Sequence, residues 1–514
     1  MGRQSWPYRR LITSTGIAKA MSRRLSLDAL ATLPSAIVRP SYGRAELRAG
    51  ILHVGVGNFH RSHQALYLDD LFSRGKDHDW ALLGAGVRAA DAAMRQDLLE
   101  QDWLTTVVEM EPGAHRARVI GSMADFLPVG NDTRAIVAAL RDPSIRIVSL
   151  TVTEGGYCID PATGRFNPEH PEIVHDAAHL EAPKGLFGAL VAALRMRRDG
   201  GLAPFTIMSC DNIPHNGDVT RDAVAGLAAL ADPALAAYVR ESVAFPNSMV
   251  DRITPATTDA QRALLKERFG IEDRRPVFCE PFRQWVLEDH FPSGRPALEE
   301  VGVTFTPQVA AFELMKLRIL NGGHAAIAYP AGLLGIHFVH DAMADPLVRG
   351  FLDKLETDEI IPHVPPVPGV DLHAYYQLIA DRFSNPDVGD TIPRLAQDGS
   401  NRQPKFILPS TRDRLKAGAD VTGLALESAL WCRYCAGTLD TGEAFALDDP
   451  NAVRLTPAAL AAKDDPAAFL GLRDIFGDIA EAPLFRERFA TALTSLWRNG
   501  TRTTLQRYLD GNLV

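Results

Sequence analysis

This chain lacks the features that mark several large classes of protein. No run of roughly 18 consecutive apolar residues occurs along its 514 positions, which excludes a conventional membrane-spanning helix. Cysteine is scarce: Cys158, Cys210, Cys279, Cys432 and Cys435 are scattered and odd in number. Such a set suits a reducing compartment and gives no disulfide framework. Positive charge is not in excess, with 54 Lys and Arg against 63 Asp and Glu and a net charge of -9. A general nucleic-acid binder would carry a basic domain or stripe. HExxH is absent, and Cys432-x-x-Cys435 in LWCRYCAG has no second pair beside it. Two small buried residues on one helix explain that pair better than a metal or redox site. Internal repeats and low-complexity tracts are missing too. What remains, 46% hydrophobic and 23% charged, is the composition of an ordinary soluble globular protein.

Acidic residues are absent before Asp28, while Arg3, Arg9, Arg10, Lys19, Arg23 and Arg24 are present. A transit peptide has that composition. The preferred reading is a disordered extension over residues 1–27, with Met21 as a candidate start and a cytoplasmic location. Further along, GILHVGVGNFHRSHQALYLDDLF (50–72) runs strand, glycine turn, helix, and WALLGAGV (80–87), SIRIVSLTV (144–152) and PFTIMSCDN (204–212) read as buried strands. TTVVEMEPGAHRARVIGSM (105–123) alternates around Pro112-Gly113 as a hairpin. Strands alternating with helices predict an α/β fold with a mostly parallel sheet covered on both faces. Beyond residue 300 the texture becomes Ala- and Leu-rich and helical. The expected organisation is a sheet-containing domain over 28–298 and a helical domain over 299–514, with the Pro-rich IIPHVPPVPGV (360–370) as a rigid connector.

Gly55 and Gly57 lie between a strand and a helix, the context of a dinucleotide turn. His60 stands where a third glycine would complete GxGxxG, so the motif alone is weak. GAGVRA (84–89) competes, but it follows the second strand, where the ribose-reading residue belongs. Asp91 there, on a ribose hydroxyl, implies NAD; Arg88, on a 2'-phosphate, would allow NADP.

AFELMKLRILNGGH (311–324) poses a sharper question. At about 100° per residue, Glu313, Asn321 and His324 share one broad helix face with Lys316. Burying lysine and histidine on a leucine-built face is costly without partners. The bland alternative is a solvated face with a Glu313–Lys316 pair. Gly322 and Gly323 argue against it, because glycines remove side chains where a ligand or another backbone comes close. Asp211-Asn212 in SCDNIPHNG (209–217) follows a buried strand, where α/β sheets carry their ligand crevice, although a turn or cap is the ordinary role of such a pair. Asp251 and Arg252 in FPNSMVDRITP (245–255) read most simply as an ion pair.

Together GVGNFHRSHQALYLDDL, TEGGY, SCDN, FPNSMVDRITP, KLRILNGGH and DTIPRLAQDGSNRQPKF resemble the polyol-specific long-chain dehydrogenases and reductases, the mannitol dehydrogenase family, from about residue 45 to beyond 440. The resemblance implies a Rossmann-like NAD-binding domain over 28–298, a mostly α-helical substrate and catalytic domain over 299–514, and a zinc-independent, NAD-dependent oxidation of a secondary alcohol. Lys316 is the implied base, Asn212 and Asn321 donate to the developing alkoxide, and His324 orients the substrate. Asp251, Arg394 and Lys405 would line the substrate pocket, and Glu313 would relay protons to solvent. Gly55, Gly57, Asn58, Phe59, Asp91 and Glu154 are the expected cofactor contacts. D-mannitol and D-fructose are the implied pair, with a fructuronate or tagaturonate reductase, or a D-arabinitol dehydrogenase, as alternatives. A non-catalytic NAD-binding regulator would not need the lysine. Neither nucleic acid nor membrane is an expected partner, and a monomer or small homo-oligomer is expected.

Overall fold

The computed structural model describes residues 22–130, 132–160 and 165–513. Among them run thirteen strands: β1 (Arg23–Arg24), β2 (Ala49–Val54), β3 (Ala81–Ala85), β4 (Thr105–Glu111), β5 (Ala114–Ile120), β6 (Met123–Phe126), β7 (Ile147–Leu150), β8 (Thr206–Ser209), β9 (Ser248–Asp251), β10 (Ile271–Glu272), β11 (Val277–Cys279), β12 (Gln284–Leu287) and β13 (Thr304–Phe305).

The central sheet has the order β6-β3-β2-β7-β8, and every pairing in it is parallel. Its strands are apolar nearly throughout because helices cover both faces. Leu52 and Val54 of β2 face one core, with the helix Leu186–Asp199; Ile51 faces the other, with Gln64–Phe72. The strand order reverses at β2, between β3 and β7. A crevice for a ligand opens at such a switch point, beyond the carboxyl ends of the strands. The expected hairpin is β4–β5, joined by β11 in a separate sheet, and β9, β12 and β13 form a third.

One expectation needs correction. Residues 22–27, which the sequence places in a disordered extension, are ordered: β1 pairs in parallel with Ile271 and Glu272, and Leu25 is buried. Ladder bonds are made by backbone, so basic side chains do not prevent them. The rest of that extension, 1–21, lies outside the described residues, as does the side chain of Glu154.

From Val309 onward the described chain is helical and shares one large core, which Met249 of β9 and Val286 of β12 also enter. No helix among the described residues is long and apolar enough to cross a membrane. The Lys316 segment is not one uniform α-helix. Val309–Met315 and Gly322–Leu333 are α-helical, and Lys316–Asn321 between them is a π-turn. A π-turn inserts one residue and rotates everything after it by roughly 100°. The apolar periodicity predicts the helix but does not register that insertion.

Candidate active site

Lys316 starts the π-turn and is 7% exposed. Its Nζ donates to Oδ1 of Asn212 and to the carbonyl of Val250, both at 2.7 Å. Burial pulls its pKa below the ordinary lysine value; Asp251 opposes that shift and Arg382 adds to it. The bond to Asn212 occupies that residue's carbonyl and leaves its NH2 as the donor end. Asn212 follows β8. The adjacent Asp211 is neither a simple turn nor a cap: its carboxylate accepts the amides of Val152 and Thr153, each at 2.9 Å, and the Tyr157 hydroxyl at 2.7 Å. It clamps the loop after β7 to the loop after β8.

Beside Lys316 opens a cleft of about 280 Å³ whose walls include Asn212, Asn321, His324, Arg394, Arg402 and Lys405. His324 stacks on Phe383 with ring centroids 4.1 Å apart, and its Nε2 has no hydrogen-bond partner. Burial depresses its pKa to about 3, so the ring is neutral and carries one donor and one acceptor nitrogen. Arg394 forks onto Asp390 at the cleft's edge. Arg402 is anchored to the carbonyls of Leu395 and Arg394.

Five of the residues singled out from the sequence stand elsewhere. Asp251 does not line the cleft: it is 4% exposed and holds Arg382 in a two-pronged fork at 2.8 and 2.9 Å. The same guanidinium forks onto Glu280 at 2.8 and 2.7 Å. Asp251 and Arg252 are not an ion pair either, since Arg252 reaches Glu109 at 2.6 Å and the carbonyls of Ser62 and Glu280. Asp251 ends β9 and Arg252 is the first residue beyond it, and the two side chains take separate partners. Glu313 accepts the His215 amide at 3.1 and 3.2 Å instead of bonding Lys316, and burial raises its pKa. Gly322 and Gly323 are absent from the cleft wall. A Cβ on Gly323 would meet Oε1 of Glu356 at 3.3 Å and Phe383 at 3.5 Å, so that glycine serves helix packing.

At the switch point Gly55 has φ +94°, and a Cβ there would collide with the Thr151 carbonyl. His53, fully buried, holds the turn through Thr151 Oγ1 at 3.0 Å and the Gly55 carbonyl at 3.2 Å. Gly57 opens the helix Asn58–Ser62 with no side-chain cap, and a Cβ on it would meet nothing nearer than 3.8 Å. That open, amide-lined corner fits a pyrophosphate. Asn58 turns its Oδ1 to Arg61 at 2.7 Å, and Phe59 stacks on His63. Asp91 caps its own helix by accepting the amides of Val87 and Arg88 at 2.9 Å, so that oxygen is committed locally.

Residues 49–300 match the profile described as the Mannitol dehydrogenase Rossmann domain, and residues 308–497 match the Mannitol dehydrogenase C-terminal domain. The chain belongs to the mannitol dehydrogenase family. Mannitol 2-dehydrogenase of Cereibacter sphaeroides is 59% identical over 473 residues, covering 92% of this chain and 99% of that protein. The Pseudomonas fluorescens mannitol 2-dehydrogenase, solved as a ternary complex with NAD and D-mannitol, superposes with a TM-score of 0.85 at 42% identity, covering 95% of this chain and all of that one. A D-sorbitol dehydrogenase in substrate-free form superposes at 0.87 with 33% identity, covering 94% of this chain.

Within this mannitol dehydrogenase family chain, sequence reasoning missed Arg382, Glu280, Arg402 and the Asp211 clamp. Arg382 carried a faint signal, as a cation late in the otherwise amphipathic YYQLIADRF. Glu280 carried one as a lone acid inside the apolar VFCEPF.

Proposed function

We propose that this chain interconverts D-mannitol and D-fructose by hydride transfer with NAD, using Lys316 as the acid–base group and no metal. The observation that carries the reading is the desolvated Nζ of Lys316, bonded at 2.7 Å to Oδ1 of Asn212, the residue that itself lines the polar cleft at the carboxyl edge of the sheet. The Pseudomonas relative bound to NAD and D-mannitol supports the choice of substrate and cofactor. NAD, when bound, accepts the hydride released by the substrate carbinol. Gly55 and Gly57 leave room for its pyrophosphate beside the first turn of Asn58–Ser62, and Asp91 or Arg88 would face its adenosine ribose.

The remaining work belongs to side chains. A lysine whose burial lowers its pKa is a competent base nearer neutrality, and takes the hydroxyl proton as the carbon loses hydride. In reduction the same nitrogen, protonated, is the acid. The NH2 groups of Asn212 and Asn321 stabilise the developing alkoxide. His324, neutral, exchanges a hydrogen bond with a neighbouring hydroxyl and sets the pose. Glu313, close enough in charge to raise the Lys316 pKa, is the group that would relay a proton to solvent. Asp251 acts from behind, through its charge. Residues 22–298 then carry cofactor chemistry and 299–514 the substrate walls, with Asn212 and Val250 as the contribution of the first part to the second. The working form is a monomer or small homo-oligomer in the cytoplasm.

A second reading, a hexuronate reductase, draws on the cations Arg394, Arg402 and Lys405 in the cleft, which suit a substrate carboxylate. One assay separates them: initial rates with D-mannitol, D-arabinitol, fructuronate and tagaturonate, each with NAD(H) and NADP(H), before and after dialysis against a chelator. D-mannitol and NAD are expected to give the highest kcat/KM and to survive dialysis. A preference for a uronate overturns the substrate assignment, and activity restored only by a divalent ion overturns the metal-free scheme.

A further inference from the structure

Asn401, Arg402 and Lys405 all project from one face of the helix Gly399–Phe406, and its opposite face is held by buried groups that the reaction does not use. Gly399 and Gln403 lie one turn apart on that buried face. A Cβ on Gly399 would stand 2.5 Å from Nε1 of Trp431 and 2.8 Å from the Tyr329 hydroxyl, so the helix rests directly on the core. Gln403 donates its Nε2 to Oε1 of Glu427 at 2.6 Å, and neither residue has any exposed surface. Oε2 of Glu427 has no hydrogen-bond partner, and the Tyr329 hydroxyl meets the side chain of Gln403. An apolar pair of the same shape would fill this space at no loss of stability. The polar pair adds direction instead: a hydrogen bond between fixed elements defines the rotation of a helix about its axis, which dispersion contacts define poorly.

We propose that Glu427 and Gln403 are positioning residues for the substrate: their buried hydrogen bond sets the rotation of the Gly399–Phe406 helix, and thereby the cleft's affinity for the polyol. This rests on the polyol dehydrogenase reading and adds to it a control on substrate binding that lies outside the cleft.

Burial pushes the Glu427 carboxyl up to about 8, against a weaker pull from Gln403. Tyr329 faces the pair from the helix Gly322–Leu333, and Cys435 and Arg402 act on Tyr329. Among the described residues no cation bears on Glu427 itself. When Glu427 ionises the bond from Gln403 gains charge, but Oε2 is left as a buried carboxylate oxygen without a donor; relieving that cost displaces the helix seat and weakens polyol binding.

The test is steady-state kinetics on the full chain with D-mannitol and NAD on both sides of about pH 8, together with NADH binding by fluorescence. Gln403→Met keeps the side-chain volume and deletes the bond. It is expected to raise KM for D-mannitol about tenfold, equivalent to 1.4 kcal/mol, with kcat and NADH affinity within about twofold. Glu427→Gln keeps the shape without the titration. It is expected to hold KM near the wild-type value at neutral pH and to abolish the alkaline rise in KM that the wild type shows. A Gln403→Met enzyme with the wild-type KM overturns the inference, and so does a Glu427→Gln enzyme whose KM still climbs above pH 8. Should Gln403→Met fail to fold, the Glu427→Gln profile decides alone. A wild-type chain that turns over no polyol overturns the proposed function instead.

Discussion

Around Gly55 and Gly57 the chain offers backbone: a positive φ, a missing Cβ against Thr151, and first-turn amides without a side-chain cap. Around Lys316 it offers side chains gathered from separate elements: Asn212 after β8, Asp251 at the end of β9, Arg382 on the helix Leu372–Phe383, and His324 beyond the π-turn. The first region is local and steric, so a single added carbon damages it. The second is long-range and electrostatic, so it fails through loss of a charge or a proton. Substitutions on the two sides should therefore separate cofactor binding from chemistry.

Lys316→Ala is expected to have the largest effect. Losing the proposed acid–base group should lower kcat by about 10²–10⁴-fold, while NADH affinity measured by fluorescence stays within a few-fold. A large loss of NADH affinity with normal kcat would break the comparison. In the wild type, kcat/KM for oxidation should rise with pH as Lys316 loses its proton, with a midpoint below the usual 10.5.

Arg382→Met should come next. It leaves Asp251 and Glu280 buried together without their shared cation, and should cost about 3–5 kcal/mol in urea unfolding. It also removes a positive charge that lowers the Lys316 pKa and frees Asp251, which raises it. The alkaline limb of kcat/KM should therefore shift to higher pH. A downward shift would contradict the assignment of Asp251 as an electrostatic partner.

Gly55→Ala attacks the other region. Strain at φ +94° and the collision with Thr151 should cost about 1–3 kcal/mol. KM for NAD should rise while kcat at saturating NAD changes little.

The smallest effects are expected at the two glycines after Asn321. Gly322 has ordinary contacts at 3.6 Å and beyond, so Gly322→Ala should gain up to about 1 kcal/mol of helix propensity. Gly323→Ala must displace the Glu356 carboxyl, at 3.3 Å, and should return that gain or lose about 1 kcal/mol more. Melting temperatures rank the pair, and kcat/KM should move in neither. A selective loss of kcat/KM in Gly323→Ala would restore a ligand role to that position.

Lys316, Asn321 and His324 are legible as candidates because they sit within a few turns of one apolar helix, where polar residues stand out. The same periodicity cannot register the π-turn, since one inserted residue leaves the apolar pattern nearly unchanged. Asp91 illustrates a local rule that sequence reasoning passed over: an acid three residues after a strand-to-helix junction is placed to cap that helix. Arg382 illustrates the opposite limit. It lies 131 residues from Asp251 and 102 from Glu280, and nothing in the intervening chain announces that the three will meet.

By itself the sequence determined the alternation of strands and helices, the glycine turn after β2 and the run of polar groups that follows Lys316, because each depends on propensities and spacings spanning a turn or two. Only the tertiary structure decided that Lys316 would lose its water to Asn212 and Val250, that Asp251 would face Arg382 instead of the cleft, and that Gly323 would receive a buried carboxyl. Desolvation and ion pairing act on whatever the fold brings within a few ångströms, however far apart along the chain those groups began.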